Sequence, residues 1–304
     1  MSEYTEFMLD KIGIDQLSRL SGLLVPTPKK TLWERIWRRL NNPFRPVRTL
    51  RAKHDSVSMQ SHYDKIWRRK SLHAEFAGGV PTCKISDHRR VMFSGQCFYS
   101  PDRWLTAAQV ICVASHIRQA SPETVIEVGS GSGMLMIALA SMFPEKRFVG
   151  LELTEAGIES AMNAMQDRSL VTTICNFIFG DVALSDIVFP MTNLSFERLD
   201  ISKSSPDLRA QFVFSSLAFE QMETVFDSAF GNSLALCTDS AMFMEPFLEF
   251  NSSRQRRTLK SKKYLYRKIP LTKLTEDWKV QIQTMPKHLN KTKYAFGVLR
   301  IDRL

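Results

Sequence analysis

An acid and three alternating glycines, set where an apolar run turns into a helix-forming one, restrict this chain more than any other stretch. Residues 123–133 read Glu-Thr-Val-Ile-Glu-Val-Gly-Ser-Gly-Ser-Gly, and Met134-Leu135-Met136-Ile137-Ala138-Leu139-Ala140 follows at once. The β-branched run reads as a buried parallel strand, and the segment after the glycines as a helix entered without a spacer. Glycine suits such a turn because the chain must adopt positive φ and admit a ligand close to its backbone. The helix start then offers unpaired N–H groups above the strand's carboxyl end. A dinucleotide site uses G-x-G-x-x-G, shaped for a pyrophosphate. Here Gly129, Gly131 and Gly133 alternate, and Glu127 stands two residues before the first. A carboxylate has little use beside a phosphate, whereas a ligand carrying an amino cation would welcome it. The plainer alternative is a strand–turn–helix with glycines for geometry alone.

The next strand, Arg147 to Glu152, also ends in an acid, 19 residues past Gly133. On a neighbouring parallel strand such an acid can accept both ribose hydroxyls of a nucleoside bound across the crevice. A third strand has two candidates, Asn176 to Asp181 and Leu194 to Ile201, each ending at or near an acid. The fourth is Gln211 to Ser216, and the short link from Asp200 to it favours the second candidate. Residues 170–192 are then expected to be an insertion, with Asp181 as the rival acid. Residues 102–120 and 154–166 carry helical periodicity, and 93–101 reads as a loop. Residues 234–244, 278–283 and 294–301 read as strands.

The pattern Glu-x-Gly-x-Gly-x-Gly resembles motif I of the class I S-adenosylmethionine-dependent methyltransferases. The resemblance spans about residues 95–250. It implies an α/β fold: a Rossmann-like, doubly wound, seven-stranded and mostly parallel sheet closed by a C-terminal antiparallel hairpin. It also implies S-adenosylmethionine as cofactor, bound by Glu127, Gly129, Ser130, Gly131, Gly133, Glu152, Leu153, Asp200 and Ile201, with Asp200 facing the adenine amino group. Ala218-Phe219-Glu220-Gln221-Met222 and Met244-Glu245-Pro246-Phe247 are similar to a bacterial subgroup of small-molecule, type 11-like enzymes. No N-P-P-Y or D-P-P-Y follows the fourth strand, which argues against methylation of bases or of glutamine side chains. Glu220 is the ionisable side chain at the expected place for a proton acceptor or substrate orienter. Gln96, Tyr99 and Gln221 are expected to line the substrate side.

Charge divides the chain. Residues 101–250 hold 8 Lys/Arg against 19 Asp/Glu, a net of −11, so the flanks together carry +21. Such flanks suit an anionic partner, either nucleic acid or an acidic membrane surface, or they serve only as a solvated surface. Residues 1–92 are expected to form a basic, helical extension or lid, and 93–304 the methyltransferase domain. Within the extension, residues 7–20 and 31–40 read as helices, the second with Trp33 and Trp37 opposite Arg35, Arg38 and Arg39. Ile66-Trp67-Arg68-Arg69-Lys70 is a second basic, aromatic cluster. Five dispersed cysteines with no C-x-x-C pair point to reduced thiols, a cytoplasmic location and no structural metal. No signal peptide or membrane-spanning run is expected, although the basic flanks leave room for peripheral membrane contact. Three readings follow: a methyltransferase for a small or conjugated acceptor, anionic ones included, at oxygen; an RNA or protein methyltransferase docking through its flanks; or a non-catalytic cofactor-binding subunit.

Overall fold

The computed structural model describes residues 25–26, 56–77, 89–93, 96–100, 103–179, 187–203, 207–262, 264–284 and 297–304. A small antiparallel sheet comes first, with β1 (Val25–Pro26), β2 (Arg89–Phe93) and β3 (Gln96–Ser100) in the order β1-β3-β2. The main sheet comprises β4 (Thr124–Val128), β5 (Arg147–Glu152), β6 (Leu194–Arg198), β7 (Ala210–Ser216), β8 (Cys237–Glu245), β9 (Trp278–Thr284) and β10 (Gly297–Arg303). Its order is β6-β5-β4-β7-β8-β10-β9, parallel from β6 to β8 and antiparallel beyond. From β4 the chain builds outward to β5 and β6, then returns to place β7 on the other side of β4. That reversal opens a crevice at the carboxyl ends of β4 and β7, where open α/β sheets bind ligands.

Eight helices are described: α1 (Ser56–Arg69), α2 (Leu72–Phe76), α3 (Arg103–Ala120), α4 (Met134–Met142), α5 (Glu155–Gln166), α6 (Arg168–Phe179), α7 (Phe226–Ala235) and α8 (Ser253–Lys262). The twofold alternation of the strands separates two cores. Phe212 and Phe214 of β7 enter one, with Val125, Phe148 and Met242, beneath α3, α4 and α6. Val213 enters the other with Ile126, Val149 and Phe243, beneath α7. Apolar burial on both faces explains why the central strands read as unbroken hydrophobic runs.

Three sequence expectations change. The strand read from Asn176 towards Asp181 is not formed over 176–179; residues 168–179 of the expected insertion are helix α6, which buries Leu170, Val171, Ile174, Cys175 and Ile178 along one face. The third strand is therefore β6, parallel to β5, with Phe148 opposite Leu194 and Glu152 opposite Arg198. Residues 96–100 are a strand rather than a loop, because β3 pairs with β2 from Arg89↔Ser100 to Phe93↔Gln96. Leu234 and Ala235 close α7, and the fifth strand of the sheet starts only at Cys237. β2 runs across residues 92 and 93, where the sequence reading sets the edge of the methyltransferase domain. The helices expected over 7–20 and 31–40, the Gly78-Gly79 turn and Asp181 lie outside the described residues.

One buried polar pair ties α3 to the sheet far from the crevice. His116, 3% exposed, sets Nε2 2.8 Å from Ser240 Oγ and its ring against Phe212. Burial lowers the imidazole pKa to about 4, Arg300 adds to the depression and Asp302 opposes it. An unfolded histidine titrates near 6.5, so the unfolded chain binds more protons between the two values. The stabilising contribution is complete above that unfolded value and is lost as pH falls through the folded one, by roughly 3 kcal/mol. Urea midpoints for wild type and His116→Gln near pH 7 and pH 4.5 check this. The variant should lose roughly 2 kcal/mol less on acidification, and equal losses would remove His116 from the account.

Candidate functional site

The glycine turn is held from the neighbouring strand. Gly129 and Ser130 donate their N–H groups to Leu151 O at 2.8 and 3.0 Å, and Gly131 N–H donates to Glu152 Oε2 at 2.9 Å. Glu152 also accepts through Oε1 from Thr154 N–H (3.0 Å) and Thr154 Oγ1 (2.7 Å), while Thr154 caps α5 through Gly157 N–H. One carboxylate thus binds two turns together and fixes the rim of the crevice. Gly131 has φ +56°, and a Cβ there would sit 2.7 Å from the Trp67 ring of α1, so only glycine satisfies both the conformation and the space. Gly133, at φ +80°, is the N-cap of α4 and carries no side-chain cap.

Above these turns lies a cavity of about 640 Å³, well within the ~300–1,000 Å³ of small-molecule sites. Glu127, Gly129, Ser130, Gly131, Glu152, Leu153, Asp200, Ile201, Glu220 and Gln221 all line it. Four strand ends and the turn after β7 therefore converge on one site. Gly133 does not reach the wall; it packs beneath, where a Cβ would meet Phe196 and Ala161, so its role is to shape the turn. Gln96 and Tyr99 sit on β3, opposite Phe93 and Arg90, and their side chains lie outside the described residues.

Glu127 is the electrostatic centre of the floor. It is 2% exposed, and its Oε2 has no hydrogen-bond partner among the described residues. Burial, and then the nearby Glu152 carboxylate, push its pKa well above the usual carboxylate range. A cation bound against Glu127 would relieve both effects, since it supplies the missing partner and offsets Glu152. Asp200, past the end of β6, accepts at Oδ1 from Ser202 N–H (3.1 Å) and Ser202 Oγ (2.6 Å), and its Oδ2 lies 3.1 Å from Lys203 Nζ. Burial acts to raise its pKa, but Ser202 and Lys203 outweigh it and hold the carboxyl below the usual range. Leu153, Leu199 and Ile201 supply apolar wall beside it.

The turn after β7 is built on a buried acid to which the sequence reading gives no role. Glu245, fully buried at the end of β8, accepts at Oε1 from Ser215 Oγ (2.9 Å), Ala218 N–H (3.0 Å) and Phe219 N–H (3.1 Å), and at Oε2 from Glu220 N–H (3.0 Å). Burial raises its carboxyl to about 8 against the pull of those donors. Leu217 enters the turn at φ +58°, a left-handed conformation unusual for leucine. Glu220, anchored through its own N–H, lines the cavity and accepts from Gln221 Nε2 at 2.9 Å.

The roof comes from α1, which sequence reasoning recognised only as a basic, aromatic cluster. Tyr63 and Trp67 of α1, and Lys70 directly after it, recur at helical spacing and all line the cavity, with Arg69 beside them. Two contacts fix α1 and the start of α2 against α5: Asp64 Oδ1 accepts from Ala156 N–H at 3.0 Å, and Leu72 N–H donates to Ser160 Oγ at 3.1 Å. The Tyr63 phenol is pushed far above its usual pKa by burial, then by Glu220, Tyr264 and Glu152. Among the described residues, no group of His, Cys, Asp and Glu is arranged to hold a metal ion. No described helix is long and apolar enough to cross a membrane.

Residues 121–202, which carry the glycine turn, Glu152 and Asp200, match the model of a family described as putative methyltransferase. No curated protein matches the chain in sequence. Among solved structures, the chain is similar to magnesium protoporphyrin IX methyltransferase from Synechocystis PCC 6803, solved with S-adenosylhomocysteine bound. The TM-score is 0.52 at 11% identity, over 82% of this chain and 100% of that one. It is also similar to the mitomycin 7-O-methyltransferase, with a TM-score of 0.50 at 15% identity over 90% of this chain and 69% of that one. At such identities the likeness is one of fold.

Proposed function

We propose that the chain is a class I S-adenosylmethionine-dependent methyltransferase, a reading supported by the family match over residues 121–202 and by the fold, and that it methylates a small or conjugated acceptor at oxygen, with Glu220 taking the proton. The residues present suit the cofactor: the partnerless Glu127 oxygen matches an ammonium group, and the apolar wall beside Asp200 matches a purine with an exocyclic amine. When bound, S-adenosylmethionine supplies an electrophilic methyl group on a sulfonium that leaves as a neutral thioether. What remains for the chain is alignment of the acceptor and removal of its proton.

One observation carries the reading. Glu220, on the turn after β7, and Tyr63, on α1, line the same cavity, and the Glu220 carboxylate adds to the burial that raises the phenol's pKa. The raised Tyr63 pKa keeps its phenol protonated, so it serves as a hydrogen-bond donor that holds an acceptor oxygen and not as the base. Glu220, fixed by Glu245 through its backbone, is then the proton acceptor. Glu220→Gln keeps the hydrogen-bonding shape and removes the basicity. It should lower turnover about 100-fold while the S-adenosylhomocysteine Kd changes less than about twofold. Unchanged turnover would remove Glu220 from the mechanism.

A second reading concerns what carries the acceptor. Residues 253–268 hold 8 Lys/Arg and no acid. They are tied to the site by Leu265 N–H donating to Glu220 O (2.8 Å) and Tyr266 N–H donating to Glu223 Oε2 (2.6 Å). Arg257, Lys260 and Lys268 are exposed, and Lys260 lies over the Tyr266 ring at 5.9 Å. Cations interleaved with tyrosines favour a phosphate-bearing acceptor, and RNA in particular as its carrier. Retention on RNA that falls steeply with salt supports that reading, and salt-independent behaviour opposes it. The intact Glu127 and Glu152 favour an enzyme over a non-catalytic subunit.

A further inference from the structure

The cavity floor is acidic: Glu127, Glu152, Asp200 and Glu220 all face it. The cofactor carries an ammonium and a sulfonium, which that floor attracts, and a carboxylate, which it repels. The carboxylate must therefore turn away from the strand ends. Two features of the cavity wall suit an anion. The α4 amino end, which opens directly from the glycine turn, has no side-chain cap, and Ser132, Met134 and Leu135 of that turn and helix line the cavity. Unpaired N–H groups at such an end attract anions. Lys70, the residue directly after α1 and three past Trp67, whose ring already lies against Gly131, is exposed and lines the same cavity. Lys70 forms no ion pair with any carboxylate among the described residues. Arg69 also borders the cavity but falls outside the stripe of Tyr63, Trp67 and Lys70.

We infer that Lys70, together with the uncapped α4 amino end, binds the cofactor's carboxylate, opposite Glu127 on its ammonium. The two ends of the zwitterion are then read by different layers of the protein, the floor through Glu127 and the roof through α1. The inference rests on the cofactor reading above and assigns to the carboxyl end of α1, through the residue that follows it, a direct part in cofactor affinity.

Calorimetry separates the two. S-adenosylhomocysteine carries the amino-acid end, while 5′-deoxy-5′-methylthioadenosine keeps the adenosine and thioether and lacks it. Lys70→Met should weaken S-adenosylhomocysteine binding about tenfold, the scale of one charge-assisted hydrogen bond. The same substitution should change methylthioadenosine binding less than about twofold, and Lys70→Arg should restore most of the loss. Equal losses for both ligands, no loss for either, or a selective loss from Arg69→Met in place of Lys70→Met would overturn the assignment. If the wild-type chain binds neither ligand, the cofactor reading itself fails, an outcome distinct from all of these.

Discussion

Glu127→Gln should weaken S-adenosylhomocysteine binding by roughly 30- to 100-fold and at the same time stabilise the ligand-free protein. The two effects share one cause. Glu127 is nearly inaccessible to water, lacks a partner at Oε2 and lies close to the Glu152 carboxylate, so its charge is costly in the empty site. An ammonium group repays that cost on binding, and an amide, being neutral, neither incurs it nor recovers it. Removing one partner of a buried, hydrogen-bonded charge pair costs about 2–3 kcal/mol of affinity, which is the stated loss. The same substitution should raise the apo Tm by about 2 °C, the scale of a gain of about 1 kcal/mol in a chain of this size. Thermal melts with and without S-adenosylhomocysteine read both quantities. A variant that melts lower when empty would mean that Glu127 holds the fold rather than the ligand.

The second large effect falls on Glu245. Replacing it by alanine leaves Ser215 Oγ and the N–H groups of Ala218, Phe219 and Glu220 without their acceptor, the first and third buried and the other two part-buried at the cavity wall. Each stranded buried donor costs about 1–3 kcal/mol, and relaxation of the turn recovers part of the sum. A net loss of about 4 kcal/mol is expected, seen as a lower urea midpoint with an unchanged slope. Glu245→Gln keeps one acceptor oxygen and should lose about half as much. A loss below about 1 kcal/mol for the alanine variant would show that the turn holds itself.

The parts of the site that lie along single segments were legible in the sequence. Glu127, the glycines and Glu152 are fixed by a strand–turn–helix whose punctuation is local, and the structure gathers Glu127, Gly129, Gly131 and Glu152 with Asp200 and Glu220 on one cavity. Asp200 could be chosen because chain length limits how far a third strand can stand from the fourth. The helix α6 was harder, since Ile174 to Phe179 is rich in β-branched and aromatic residues and mimics a strand over a short window. Its burial at Leu170, Val171, Ile174, Cys175 and Ile178 shows the helical period only over the longer span. The β3 strand was hidden because its pairing with β2, and not its own pattern, makes it a strand.

The roles of Glu245, Tyr63, Trp67 and Lys70 are not legible in the sequence, for a different reason. Glu245 acts on a turn some 25 residues earlier, and α1 reaches the glycine turn across more than sixty residues of chain. Nothing in the local pattern of either segment reports such a contact. What the sequence did carry was a weaker signal: an acid directly after an apolar strand, and tryptophan among arginines and lysine on one helix.

The central claim is that this cavity binds S-adenosylmethionine through Glu127, Glu152 and the glycine turn. Titration of S-adenosylhomocysteine into the full chain tests it most directly, with Gly131→Val alongside. The account predicts saturable one-to-one binding by the wild type. It predicts none by the variant, whose side chain requires a disfavoured φ and collides with Trp67. Absence of wild-type binding, or equal binding by Gly131→Val, would contradict it.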